Sequence, residues 1–156
     1  ALIDVSSAVG ADGSGADAGR LKLSAVQGEV QLDGELRAGH GVAAHAGEVD
    51  LDVDNIADFN ALNSVLNNTG FTYRRVIRQR NGDLQLGDAN GQDIIAEQLV
   101  LSTDNGQILL QGQIDARAAD GGRVELSASN GIEMQATASI DVSATDSSGD
   151  GGRVML

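Results

Sequence analysis

Cysteine, proline and tryptophan are absent from this 156-residue chain, and only 2 % of its residues are aromatic. Without cysteine there is no disulfide framework. Without proline, the 21 glycines fit neither a collagen-like repeat nor a Pro-rich disordered chain. With so few aromatics, a core has to be built from Val, Leu, Ile and Ala, and hydrophobic residues at 41 % are enough to make one. Positive charge is also scarce. Ten basic residues face 23 acidic ones, for a net charge of −13. Such a surface repels nucleic acid and anionic membranes, whose phosphates are bound through Lys and Arg. It also keeps a repetitive β-protein soluble. No apolar run approaches the ~18 residues of a membrane span, so no membrane insertion is expected, and no leader pattern opens the chain.

What is present is repetition. A glycine, a polar residue, an apolar residue, any residue and then Leu recur as Gly19-Arg20-Leu21-Lys22-Leu23, Gly28-Glu29-Val30-Gln31-Leu32 and Gly47-Glu48-Val49-Asp50-Leu51. The unit returns at Gly82–Leu86, Gly106–Leu110, Gly122–Leu126 and Gly152–Leu156. Each copy reads as a period-2 strand opened by a turn glycine. A second unit, Ile3-Asp4-Val5, Ile114-Asp115-Ala116 and Ile140-Asp141-Val142, precedes some copies across polar loops at 6–18, 117–121 and 143–151. Constant strands with a variable corner are solenoid behaviour. From Val124 to Ala144 the apolar residues are even-numbered and their odd neighbours polar, so one face points inward. The expected fold is all-β, a right-handed parallel β-helix of roughly six coils at ~20–30 residues each. A hairpin meander remains an alternative, because Asn130-Gly131 is a hairpin dipeptide. The chain reads as one continuous solenoid, a stretch of a longer molecule, with coils over 1–54 and 82–156 and an insertion over 55–81.

That insertion departs from the β pattern. Ile56, Phe59, Leu62 and Leu66 recur at helical spacing, with Asn55 as the expected N-cap and Gly70 as the C-terminal stop. The basic strand that follows the helix within the insertion, where all three aromatics lie, supplies the candidate ligand-binding residues: Phe71, Tyr73, Arg74, Arg75, Arg78 and Arg80. Arg and Tyr on an acidic rod can grip an anionic polysaccharide or a protein. The simpler and favoured reading is that the helix and aromatics cover the solenoid flank while the arginines pair with nearby carboxylates.

Other constellations carry less. Asp12 with Asp17, and Asp146 with Asp150, lie in Asp-bearing loops, which are candidates for calcium, but the strict Gly-Gly-x-Gly-x-Asp repeat is absent. His40 and His45 are of opposite parity, which on a strand would place them on opposite faces. Acidic residues are spread along outward positions, and no nucleophile elbow, phosphate loop or Cys/His pair occurs. No catalytic residues, metal site or cofactor are therefore expected, and a carbohydrate-active β-helix enzyme and a calcium-stabilised repeat module are kept as alternatives.

Gly121-Gly122-Arg123-Val124-Glu125-Leu126-Ser127-Ala128, Gly131-Ile132-Glu133-Met134, Ala138-Ser139-Ile140-Asp141-Val142-Ser143-Ala144 and Gly151-Gly152-Arg153-Val154 together resemble the filamentous-haemagglutinin-like exoproteins of two-partner secretion. The resemblance covers most of the chain outside the helix and basic strand. It implies a β-helical rod on a Gram-negative cell surface, an outer-membrane secretion pore as export partner, and adhesion to host cells, other bacteria or biofilm exopolysaccharide.

Overall fold

The computed structural model describes residues 1–88 and 91–156; the expected coil span 82–156 thus contains two positions, 89 and 90, outside the described residues. The chain winds as a β-solenoid of about five turns, against the six expected. In chain order, β1 (Leu2–Asp4) leads to β2 (Arg20–Ala25), and β3 (Glu35–Arg37) to β4 (Glu48–Val53) and the helix α1 (Phe59–Asn68). Next come β5 (Arg74–Asn81) and β6 (Leu84–Leu86), then β7 (Ile94–Ile95), β8 (Gln98–Asn105) and β9 (Ile108–Leu110). The last turns hold β10 (Gln113–Asp115), β11 (Arg123–Ala128) and β12 (Ile132–Met134), then β13 (Ser139–Asp141) and β14 (Arg153–Met155).

The strands sort into three faces. One wide sheet stacks β2-β4-β5-β8-β11-β14, a second stacks β6-β9-β12, and the third comprises β1-β3 and β7-β10-β13. Every pairing between these strands is parallel, which removes the meander alternative. Asn130-Gly131 turns the chain from one face to the next instead of closing a hairpin. One five-residue unit serves two faces: the copies after Gly19, Gly47, Gly122 and Gly152 enter the wide sheet, and those after Gly82 and Gly106 enter the second.

Register explains the core. Leu23, Leu51, Ile77, Leu101 and Leu126 lie one above another, as do Leu84, Ile108 and Ile132 and Ile94, Ile114 and Ile140. Each inward side chain is covered by its counterparts on neighbouring rungs, so Leu99, Leu101, Ile108 and Val124 are wholly buried. A rung paired on one side only is less well covered: Met134 on β12 is 46 % exposed despite its inward parity.

The corners are built by side chains that the backbone requires. In the Ile-Asp units, the carboxylates of Asp4, Asp115 and Asp141 accept the N–H of the residue two positions on: Ser6 (2.9 Å), Arg117 (3.2 Å) and Ser143 (2.9 Å). These are Asx turns, which let the strand end without orphaning an amide. All three carboxyls are held below the ordinary aspartate value, Asp4 and Asp141 chiefly by those bonds and Asp115 chiefly by the Arg117 side chain. The opposite corner repeats Asn-Gly at 81–82, 105–106 and 130–131. There Asn105 Nδ2 donates to Asn81 Oδ1 (3.1 Å) and Asn81 Nδ2 to Asp54 Oδ1 (2.6 Å), a ladder along the stack.

Two local expectations are corrected. The helix starts at Phe59, with Asp58 as its N-cap accepting the Ala61 N–H at 2.9 Å; Asn55 lies three residues too early. Gly70 follows the end of the helix at a φ of +86°, where a side chain would be strained. The second correction concerns residues 28–32, which form no strand. The next turn presents a helix where a pairing strand would have to lie, and a helix offers no ladder.

Two measurements follow. A Cβ at Gly106 would strike the backbone carbonyl of Gly82, whereas one at Gly28 meets nothing. Gly106→Ala is expected to cost about 1–3 kcal/mol in urea denaturation, and Gly28→Ala to stay within about 0.5 kcal/mol. The depressed Asp115 carboxyl contributes stability above the ordinary value of 3.8 that is lost as pH falls through its lower folded value. The melting-temperature gap between the parent and Asp115→Asn is therefore expected to be open at pH 7 and to narrow as pH falls below 3.8.

Candidate functional site

The basic strand β5 is a full rung of the wide sheet, so the departure from the β pattern is confined to α1 and its flanks. Strand alternation divides its residues. Arg74, Val76, Arg78 and Arg80 point outward, while Arg75, Ile77 and Gln79 point inward. The six candidate residues therefore do not form one patch.

Arg75 is 1 % exposed and occupies the inward stack between Val49 and Leu99. Among the described residues no carboxylate forms an ion pair with it. Its Nε donates to the Phe71 carbonyl (2.7 Å), one terminal nitrogen to Asn63 Oδ1 (2.8 Å) and the other to Asn67 Oδ1 (2.7 Å). Asn63 and Asn67 sit four apart on one face of α1, and both donate onward to the Asp93 carbonyl, at 3.1 and 2.8 Å. Burial pulls the Arg75 guanidinium down to about 9, so it is still charged at pH 7. Three neutral oxygens, aimed along the fork of the guanidinium, replace its water. Phe71 is fully buried beside it. Phe71 and Arg75 therefore hold the helix in the wall of the solenoid and are closed to any surface ligand.

The outward arginines meet carboxylates on adjacent rungs. Arg78 grips Asp104 of β8 with contacts of 2.7–3.1 Å. Arg80 grips Asp52 of β4 with two bonds of 2.8 Å. Arg74 lies 3.9 Å from Glu48, which also pairs with Arg20, and Lys22 lies 3.8 Å from Asp50. The bonds to Arg78 and Arg80 hold the Asp104 and Asp52 carboxyls below the usual range. Tyr73 is half-buried. Its ring stacks on His45 with centroids 4.0 Å apart, and its hydroxyl accepts from Gln98 Nε2 at 3.2 Å. Tyr73, Arg74, Arg78 and Arg80 are thus the members of the candidate set that reach the lateral face, each already engaged.

His40 and His45 lie in the corner loop between β3 and β4 instead of on a strand, so the parity argument does not apply to them. Asp12 accepts the Ser14 amide at 3.0 Å, and Asp17 accepts the His45 amide at 2.7 Å. Among the described residues no group of three or more His, Cys, Asp or Glu is placed to hold a metal ion, and no helix is long and apolar enough to cross a membrane.

A feature the sequence did not announce lies beside α1. An apolar cleft of about 270 Å³ separates residues 29–33 from the helix. Val30 and Leu32 form one wall, Ile56, Leu62 and Val65 the other, and the inward side chain of Val53 lies at its base. Glu29, Asp33 and Asp58 also line it. The signal was present in two parts, a strand-like unit at Gly28–Leu32 and a helical stripe at 56–66, but nothing in either part shows that they face each other.

No protein-family model, curated protein or solved structure matches the chain.

The two kinds of arginine on β5 should separate in denaturation. Arg75→Ala strands the oxygens of Asn63, Asn67 and Phe71 in the interior and leaves a void, for an expected loss of at least about 3 kcal/mol. Arg78→Ala breaks an exposed pair and should cost no more than about 1 kcal/mol. Equal losses in urea would contradict this division.

Proposed function

We propose that this chain is a rod segment of a secreted bacterial surface adhesin, mediating attachment to cells or to biofilm matrix, with no reaction chemistry of its own. The observation that supports the reading best is the outward face of the wide sheet. Arginine–carboxylate pairs there run between successive rungs, from Arg20–Glu48 through Arg80–Asp52 to Arg78–Asp104. That arrangement ties neighbouring rungs together and engages the charges of the lateral surface within the stack itself. Five turns at ~4.8 Å each amount to about 24 Å of rod, so a segment of this kind acts by reach and by repetition. Attachment through many weak contacts gains from multivalency what a single shallow site lacks. The partner that fits is an exopolysaccharide or a receptor on a host or bacterial surface. The resemblance in the repeat units supports export through an outer-membrane pore partner and an extracellular location.

The test compares single molecules with clustered ones. Beads displaying many copies of the full chain should be retained on exopolysaccharide-coated or cell-coated surfaces, while the free monomer binds weakly or not at all. Beads that bind no better than bare ones remove the adhesive reading. Release of reducing ends from polysaccharide on incubation would replace it with an enzymatic one. A melting temperature that drops with a chelator would instead indicate a calcium-stabilised module.

A further inference from the structure

The second face of the solenoid is interrupted. It has strands β6, β9 and β12 in the later turns, a helix in the turn before them, and residues 28–33 in the first turn. Those residues keep the alternation of a strand: Glu29, Gln31 and Asp33 are exposed, while Val30 and Leu32 are half-buried against the core. Yet among the described residues no hydrogen bond is made by any backbone N–H or C=O from 29 through 34. A strand-like segment with unpaired amides, next to an apolar cleft, is the usual starting point for strand addition by an incoming peptide.

Charge selects the peptide. The carboxylates of Glu29 and Asp33 are exposed and form no ion pair among the described residues. Asp58 caps α1 at the same cleft. On the wide sheet, acidic positions are matched by basic residues on the neighbouring rung, as in Lys22–Asp50 and Arg20–Glu48. At 29–33 the acids are present and the basic rung is missing.

We infer that the cleft between residues 29–33 and α1 is a docking groove for an extended polypeptide segment in which aliphatic residues alternate with Lys or Arg. The aliphatic side chains enter the space bounded by Val30, Leu32, Ile56, Leu62 and Val65. The basic side chains lie outward against Glu29 and Asp33, and the backbone pairs with the free amides and carbonyls. This groove is separate from the lateral face on which the adhesive reading rests, and either can fail without the other.

The probe is the capped pentapeptide Leu-Lys-Val-Lys-Leu, titrated into the full chain labelled with nitrogen-15. Amide shifts should be confined to 29–34 and the facing side of α1, and hydrogen exchange of the 29–34 amides should slow. Affinity should fall as salt rises. Glu29→Gln and Asp33→Asn should each weaken binding by about 2- to 5-fold, as for exposed charge pairs. Ala61→Phe, at an exposed helix position lining the cleft, should block the peptide while melting is unchanged. Equal binding of Leu-Glu-Val-Glu-Leu would overturn the charge selection. Shifts on the wide sheet in place of the cleft, unchanged exchange at 29–34, or no binding at all would overturn the groove. Concentration-dependent protection of 29–34 without peptide would give the site to a second copy of the chain and overturn the proposal as stated.

Discussion

Each rung of this protein lies in parallel register on the next, and most of what it is depends on that ladder. A single turn has an apolar inner surface too narrow to bury itself. Stacking places Leu51 on Ile77 and Ile77 on Leu101, so each inward residue is sealed by its counterparts above and below. The same register sets the outer surface, because residues about one turn apart become neighbours. Arg80 reaches Asp52 across 28 residues of sequence, and Arg78 reaches Asp104 across 26. The core and the charge pattern of the lateral face are thus two consequences of one geometry.

The largest polar group in the interior enters where the stack is interrupted; the smaller Thr103 sits within it, donating its hydroxyl to the Gly82 carbonyl at 2.8 Å. A strand in every face of every turn would leave no place for Arg75. Where α1 replaces a strand, the wall opens, and the chain fills it with a guanidinium held by Asn63, Asn67 and the Phe71 carbonyl. Gln79 does similar work two inward positions along β5, accepting the Ile56 amide at 3.0 Å. A buried charge is costly unless its donors are matched, and here two of the three acceptors, Asn63 and Asn67, lie on the helix that has to be anchored. The other side of that helix receives no such treatment. There the unpaired segment at 29–33 and the apolar cleft remain.

Parts of this were legible in residue order. Period-2 alternation separated Val124 and Leu126 from Glu125 and Ser127, and the structure buries the first two. The Ile-Asp unit marked strand ends, and its aspartates proved to be turn caps. Parity also held the clue to Arg75: its odd number groups it with Ile77, while Arg74, Arg78 and Arg80 are even. A basic cluster read by composition alone merges residues that a strand sends to opposite faces.

Local periodicity determines which side of a strand is apolar and where the chain must turn, because both depend on side chains two or three residues apart. The aliphatic interior, the recurring strands and the position of a short helix could therefore be read without coordinates. Which face a repeat unit occupies, which residues stack, and whether Gly28–Leu32 finds a partner depend on groups about a turn away. Only the closed winding brings those groups within hydrogen-bonding distance, and so only the tertiary structure decided the buried arginine, the paired lateral charges and the open cleft.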